Sequence, residues 1–173
     1  QNVRNRASMI IRDCADQDTH QLCQIYNYYI EHTAVTFEEL PVKEDEMARR
    51  VANYRQLYPW LVAEVGGQVV GYAYATKWKE RSAYKHTAEI TVYIRHGHAG
   101  NGYGKALYQA LLQKLALLKC HAVLACITLP NVASIALHEQ VGFSKVAHFH
   151  EVGFKFGEWR DVGYWQKNLD APV

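Results

Sequence analysis

The sequence has almost no surplus of charge: over 173 residues, 19 Lys and Arg face 17 Asp and Glu, a formal net charge of +2. A chain so balanced offers no electrostatic drive toward nucleic acid or an anionic membrane. It has no apolar run near the ~18 residues that would cross a bilayer. Arg4 and Arg6 have no apolar stretch behind them, so the first residues are not a secretory signal. Residues 1–8 read as an extension or cloning remnant, with Met9 a candidate native start and one domain expected over 9–173. Cysteine is scarce: Cys14, Cys23, Cys120 and Cys126 form no Cys-x-x-Cys pair. The nine histidines show no ligand spacing with cysteine or carboxylate. The expectation is reduced, buried thiols in a cytoplasmic protein with no metal. No repeat, linker or low-complexity segment interrupts the chain, and 49% hydrophobic residues suit a globular fold.

What is present is an ordered series of elements. Ile10-Ile11 begins a short strand, and Leu22, Ile25, Tyr26 and Tyr29 recur at helical spacing, with Asp16 or Asp18 available as a cap. A loop from Thr33 to Pro41 carries Phe37, and a helix is expected over Lys43 to Leu57. Strands are predicted over Trp60–Val65 and Gln68–Ala75, and Gly66-Gly67 between them reads as a tight hairpin. A polar, aromatic loop from Thr76 to Lys85 leads to a strand over Thr87–Ile94. Next come a glycine-rich turn and a helix whose apolar face carries Leu107, Leu111, Leu115 and Leu118. Ala122–Ile127 reads as a buried strand, and a helix runs from Pro130-Asn131 to about Gly142. A hairpin of roughly Ser144–Phe156 and Arg160–Leu169 turns at Gly157. This is an α/β chain of the α+β type, antiparallel first and then built from strand–helix units.

The glycine turn is Gly100-Asn101-Gly102-Tyr103-Gly104-Lys105, between a strand and a helix N-terminus. Glycines let the backbone turn sharply and let a ligand approach its N–H groups, and the helix dipole favours an anion there. A nucleotide P-loop would need Ser or Thr after Gly104-Lys105, and Ala106 stands there. A dinucleotide fingerprint would need Gly-x-Gly-x-x-Gly with an acidic residue about 20 residues on; the spacing differs and Leu118-Lys119-Cys120-His121 has none. The pyrophosphate loop of an acyl-coenzyme A transferase and a turn without a ligand remain.

Three constellations could carry chemistry. In the strand before the turn, Ala88, Ile90, Val92 and Ile94 share one face and Glu89, Thr91 and Tyr93 the other. Glu89 is either a solvated surface carboxylate or a partly buried one able to accept a proton near neutral pH. On the later helix Asn131, Ser134 and His138 share a face. Asn131 is simplest as an N-cap, and His138 is either a hydrogen-bonded buried imidazole or a proton donor. Trp78-Lys79-Glu80-Arg81 with Tyr84 forms a solvated turn or a grip for a small carboxylate or phosphinate, with Arg81 suited to two oxygens.

In order along the chain stand Tyr58-Pro59-Trp60-Leu61-Val62-Ala63-Glu64, Gly71-Tyr72-Ala73-Tyr74-Ala75, Thr91-Val92-Tyr93-Ile94, the glycine loop, Leu129-Pro130-Asn131, Leu137-His138-Glu139 and Gly142-Phe143. They end in Gly153-Phe154-Lys155-Phe156-Gly157-Glu158-Trp159 with Asp161-Val162-Gly163. With these segments the chain, from about Met9 to Leu169, resembles the Gcn5-related N-acetyltransferase superfamily, and within it the phosphinothricin (methionine sulfoximine) N-acetyltransferases. The resemblance implies a mixed, V-splayed sheet flanked by helices, with acetyl-coenzyme A in the splay. It implies that backbone groups of Val92, Tyr93 and Ile94 meet the pantetheine arm, that Gly100 through Lys105 hold the pyrophosphate, and that Asn131 and Ser134 touch the other side. It implies Glu89 as general base and Lys79, Glu80, Arg81, Glu89, Ile90, Thr91 and Phe37 around a small amino-acid-like acceptor, in a homodimer.

Two positions depart from the resemblance. Ala99 stands where Arg or Gln usually precedes the loop, so one phosphate contact is missing. His138 stands where many members have a tyrosine acid. The expected reaction is direct attack of an α-amine on the thioester in a ternary complex, without an acyl-enzyme on Cys126. A different amine acceptor (a peptide N-terminus or a polyamine) and a non-catalytic coenzyme A sensor are the alternatives.

Overall fold

The computed structural model describes residues 8–169. Apart from Ser8, the expected extension lies outside the described residues, as do residues 170–173. The N-terminal half is an antiparallel meander. Strand β1 (Met9–Asp13) pairs with β2 (Trp60–Val65), β2 with β3 (Gln68–Lys77), and β3 with β4 (Thr87–Ile94). The β2–β3 turn needs two left-handed residues, and Gly66 and Gly67 supply them at φ 58° and 80°. Between β1 and β2 the chain forms α1 (Thr19–His32) and α2 (Glu44–Arg55), the latter opening on Glu44, Asp45 and Glu46 as the helix dipole favours.

From β4 the chain crosses through α3 (Tyr103–Leu117) to β5 (Ala122–Leu129), which lies parallel to β4. Helix α4 (Val132–Gln140) then leads to the hairpin β6 (Ser144–Lys155) and β7 (Glu158–Asn168). The seven strands stand in the order β1-β2-β3-β4-β5-β7-β6. β5 pairs with β7 along its whole length, from Ala122–Asn168 to Leu129–Asp161. With β4 it pairs only from Thr87–Ala122 to Glu89–Leu124. Beyond Glu89 the two parallel strands diverge, and this is the expected splay.

Two cores follow from the alternation of β-strand side chains. On one face Ala88 and Ile90 pack with Leu107, Leu111 and Leu115 of α3. Each of those leucines is fully buried, worth about 1.5–3 kcal/mol apiece. On the other face Tyr72 and Trp60 pack with Leu22, Ile25 and Ile30 of α1 and Met47 and Val51 of α2.

Three local expectations need correction. Leu118 follows the end of α3 and is 54% exposed, because its backbone has already left the helical conformation. The Asp18 carboxylate does not cap α1; it takes a two-pronged bond from Arg12 and accepts the Ala15 N–H. Cys14, Cys23 and Cys120 are buried, but Cys126 is exposed because the strand alternation points it toward the cavity described below. Among the described residues no helix is long and apolar enough to cross a membrane.

Candidate active site

The divergence of β4 from β5 leaves backbone groups without a strand partner. Arg95 N–H donates to Val70 O at 2.7 Å, toward β3. Hydrogen-bonding groups alternate between the two edges of a strand. Thr91 and Tyr93 therefore bond toward β3, while the Ile90 C=O and the N–H and C=O groups of Val92 and Ile94 face the splay. The Tyr29 hydroxyl donates to Ile94 O, which leaves the Val92 pair free of a sheet partner. The splay opens into a cavity of about 530 Å³. Tyr93 lines that cavity as well, while its backbone pairs with β3.

One end of the cavity is the glycine loop. Gly100 and Gly102 both sit at φ 79°, a region that other residues enter at a cost. The first helical bond of α3 runs from Ala106 N to Gly102 O at 3.1 Å. The N–H groups of Tyr103, Gly104 and Lys105 precede it and have no helical acceptor. The first turn contains no acidic residue to compete for them. Gly104 lets α3 approach α4: a Cβ there would stand 3.1 Å from Leu137 Cδ2. An exposed, acid-free N–H cradle with Lys105 beside it fits a pyrophosphate. Ala99 lines the same end and offers no side-chain hydrogen bond.

The opposite wall is α4. Asn131 accepts the Ser134 N–H at 3.1 Å, so it is the N-cap. His138 is 3% exposed, and both of its nitrogens are occupied. Nδ1 lies 2.7 Å from Ser134 O, an acceptor, so Nδ1 carries the hydrogen. Nε2 is then the acceptor for the Tyr108 hydroxyl at 3.0 Å. Burial pulls the His138 pKa down, so the ring is neutral near pH 7.

Glu89 lies just outside the cavity lining, one residue before Ile90. It is half-buried, and its carboxylate makes no hydrogen bond to another of the described residues. Burial pushes its carboxyl up from the ordinary range. Of the two sequence readings, the surroundings of Glu89 match the partly buried carboxylate rather than the fully solvated one.

The structure thus gathers Ile90, Thr91, Val92, Tyr93, Ile94, Gly100 through Lys105, Asn131, Ser134 and His138 around one cavity. Phe37, Lys79, Glu80 and Arg81 do not line it. Lys79 stands over the Trp78 ring at 5.2 Å, and Glu80 is 3.6 Å from Lys77. Arg81 is exposed and has no ion pair among the described residues. Sequence reasoning missed Tyr108, Tyr29, Val35 and Cys126 as cavity residues. Tyr108 stood beside the leucine stripe of α3, and nothing local distinguished it from core. Although the Cys126 side chain opens onto the cavity, the protein atoms crowded around its sulfur desolvate it and raise its pKa, so it is protonated and a poor nucleophile.

Residues 11–163 match the family described as acetyltransferase (GNAT) domain. The chain is 40% identical to phosphinothricin N-acetyltransferase of Streptomyces viridochromogenes over 168 residues, covering 97% of this chain and 92% of that one. It is 37% identical to the L-methionine sulfoximine/L-methionine sulfone acetyltransferase of Salmonella typhimurium, covering 94% and 95%. The crystal structure of a GNAT superfamily phosphinothricin acetyltransferase from Sinorhizobium meliloti, in complex with acetyl-CoA, superposes with TM-score 0.90 at 34% identity, over 93% of this chain and 88% of that one. With the splay, the N–H cradle and these similarities together, the chain belongs to the GNAT acetyltransferase family and is an acetyl-CoA-dependent N-acetyltransferase.

Proposed function

We propose that the acceptor is the α-amino group of a small amino acid or analogue of the phosphinothricin or methionine sulfoximine and sulfone type. The observation that carries this reading is Glu89, a half-buried carboxylate with a raised pKa beside the opening of the splay. An α-amine arrives as ammonium and must lose a proton before it attacks. Glu89, through a water, takes it. The names of the relatives and the unpaired Arg81 support an acceptor that carries its own anionic group.

Attack on the thioester builds an oxyanion, which the Val92 N–H can receive; one such donor is worth roughly 3 kcal/mol. Holding both substrates in one cavity makes the step effectively unimolecular. When the intermediate collapses, the nitrogen sheds its second proton, and that proton balances the departing thiolate. His138 is neutral and holds no spare proton: its Nδ1–H is fixed on the Ser134 carbonyl and its Nε2 accepts from Tyr108, so it holds in place the Tyr108 hydroxyl, which gives its proton to the thiolate and regains one from the nitrogen.

The active form in this reading is a homodimer. β6 is an edge strand, and Val146, Phe149, Val152, Phe154, Phe156 and Trp159 are exposed on its hairpin. A second copy would cover that apolar edge. Four free thiols suit a reducing cytoplasm, and residues 9–173 act as one catalytic domain.

Free-thiol release with a panel of amines tests the acceptor. The panel holds phosphinothricin, methionine sulfoximine and sulfone, tryptophan, a polyamine and a peptide N-terminus. Fastest turnover of the sulfoximine, sulfone or phosphinothricin is expected. Preference for the polyamine or the peptide would overturn the reading.

A further inference from the structure

Lys155 is a lysine where lysine is rarely found. It is 3% exposed, at the end of β6, and no carboxylate lies within ion-pair distance of it among the described residues. Buried ammonium groups need all three N–H donors satisfied. Here they are: Nζ donates to Ile30 O at 2.8 Å, Thr36 O at 2.9 Å and Glu38 O at 2.8 Å. The Phe156 ring lies 5.1 Å from the ammonium. Ile30 O belongs to the last turn of α1, where carbonyls lack helical donors and a cation is favoured. The other two acceptors flank Phe37 in the loop between α1 and α2.

The neighbouring strand position completes the arrangement. Gly153 lies two residues before Lys155 and so faces the same side of β6. A Cβ on Gly153 would stand 2.3 Å from Cε2 and Cζ of Phe37. The missing side chain is thus the seat for the Phe37 ring, and Lys155 is the clasp that holds the loop backbone over that seat. Val35, on the same loop, lines the cavity.

We propose that Lys155 is a positioning residue for the acceptor: it clasps the Thr36 and Glu38 carbonyls, with the Phe37 ring seated on Gly153 behind them, so that Val35 of the same loop forms a fixed part of the cavity wall. The inference rests on the amino-acid acceptor proposed above. It separates the two substrates, because the glycine cradle and α4 do not touch the clasp.

The test is steady-state kinetics of K155M, G153A, F37A and the double variant K155M/F37A. The acceptor is methionine sulfoximine, or whichever panel amine the wild type turns over fastest. K155M is expected to raise the acceptor KM about tenfold or more, since small misplacements near a reacting centre cost up to about a hundredfold. The acetyl-CoA KM should be unchanged. G153A keeps the clasp but displaces the ring, and should raise the acceptor KM alone, even if K155M fails to fold. K155M and F37A should be non-additive in the double variant. Parallel rises in both Michaelis constants, additive effects, or a wild-type acceptor KM in G153A would each overturn the assignment. Inactivity toward methionine sulfoximine with turnover of another amine sinks the acceptor reading and leaves the Lys155 comparison standing on that amine.

Discussion

The Tyr108 hydroxyl donates to Nε2 of His138 at 3.0 Å, while Nδ1–H of the same ring is held by the Ser134 carbonyl at 2.7 Å. The imidazole is locked in one tautomer and has no free proton. Y108F removes the donor and leaves a buried Nε2 without a partner, which costs about 1–3 kcal/mol of stability. With Tyr108 in the relay, kcat should fall about tenfold or more at an unchanged acetyl-CoA KM. Thermal unfolding and kinetics on one preparation separate the two effects. A Y108F enzyme that loses stability but keeps wild-type kcat removes Tyr108 from the reaction.

Glu89 makes the pH dependence specific. As a base it works only when ionised, and burial has raised its pKa. Wild-type kcat should therefore climb with pH along a limb set by that raised pKa. E89Q should lose the limb and about 10²–10⁴ in kcat. A pH profile of E89Q that overlays the wild type would show that another group takes the proton.

The same carboxylate should weaken the fold. Its folded pKa lies above its unfolded one, so the folded state keeps a proton that the unfolded state has released. Stability therefore drops as pH rises through the unfolded and then the folded pKa, and the loss is complete above both. E89Q carries no such penalty. Its melting temperature should exceed that of the wild type near neutral pH, and the gap should close below pH ~4. A gap that widens on acidification contradicts the buried-carboxylate account.

Ala99 leaves one place on the phosphate grip unfilled. Restoring a charged donor with A99R adds a hydrogen bond to an anion, worth about 1.5–3 kcal/mol at best and less at this exposed loop. Calorimetric titration should show acetyl-CoA binding severalfold tighter, roughly 1 kcal/mol, with the Glu89 limb unmoved. The reverse change is G102A. Nothing crowds a Cβ at that position, but φ is 79°, so strain alone disfavours alanine, by about 1–2 kcal/mol. Acetyl-CoA binding should weaken while the acceptor KM holds.

The exposed apolar edge of β6 predicts a self-association that charge should break. Sedimentation of the wild type is expected to give a dimer, and F149E or F154E a monomer. A monomeric wild type at micromolar concentration would leave that edge to another partner.

Much of this was legible in the sequence, for reasons that local chemistry explains. Gly66-Gly67 marked the first hairpin because only a left-handed pair fits so tight a turn. The bounds of β4 followed from an uninterrupted alternation between Thr87 and Ile94. Asn131 as N-cap needed only the residues after it. What stayed hidden depends on distant partners. Whether Glu89 was buried could not be read from β4, because the groups around it, Tyr74, Cys126 and Tyr164, come from β3, β5 and β7. His138 had two open readings until Tyr108, thirty positions earlier, closed one of them. Lys155 stood in a family-like segment with no hint that its partners lie more than a hundred residues upstream. Leu118 fitted a leucine stripe that the helix did not live to use.

The three residue pairs that join β4 to β5 have a mechanical meaning for the whole molecule. Within the sheet they fasten the N-terminal meander to β5 at one end only, like the spring of a clothes peg. Past that point no strand completes the sheet, and the edges on either side of the gap still require hydrogen-bonding partners. Open edges of this kind are satisfied by solvent or by a bound molecule. In the reading proposed above, a donor with amides along its arm would take that place, becoming in effect the strand that the polypeptide leaves out.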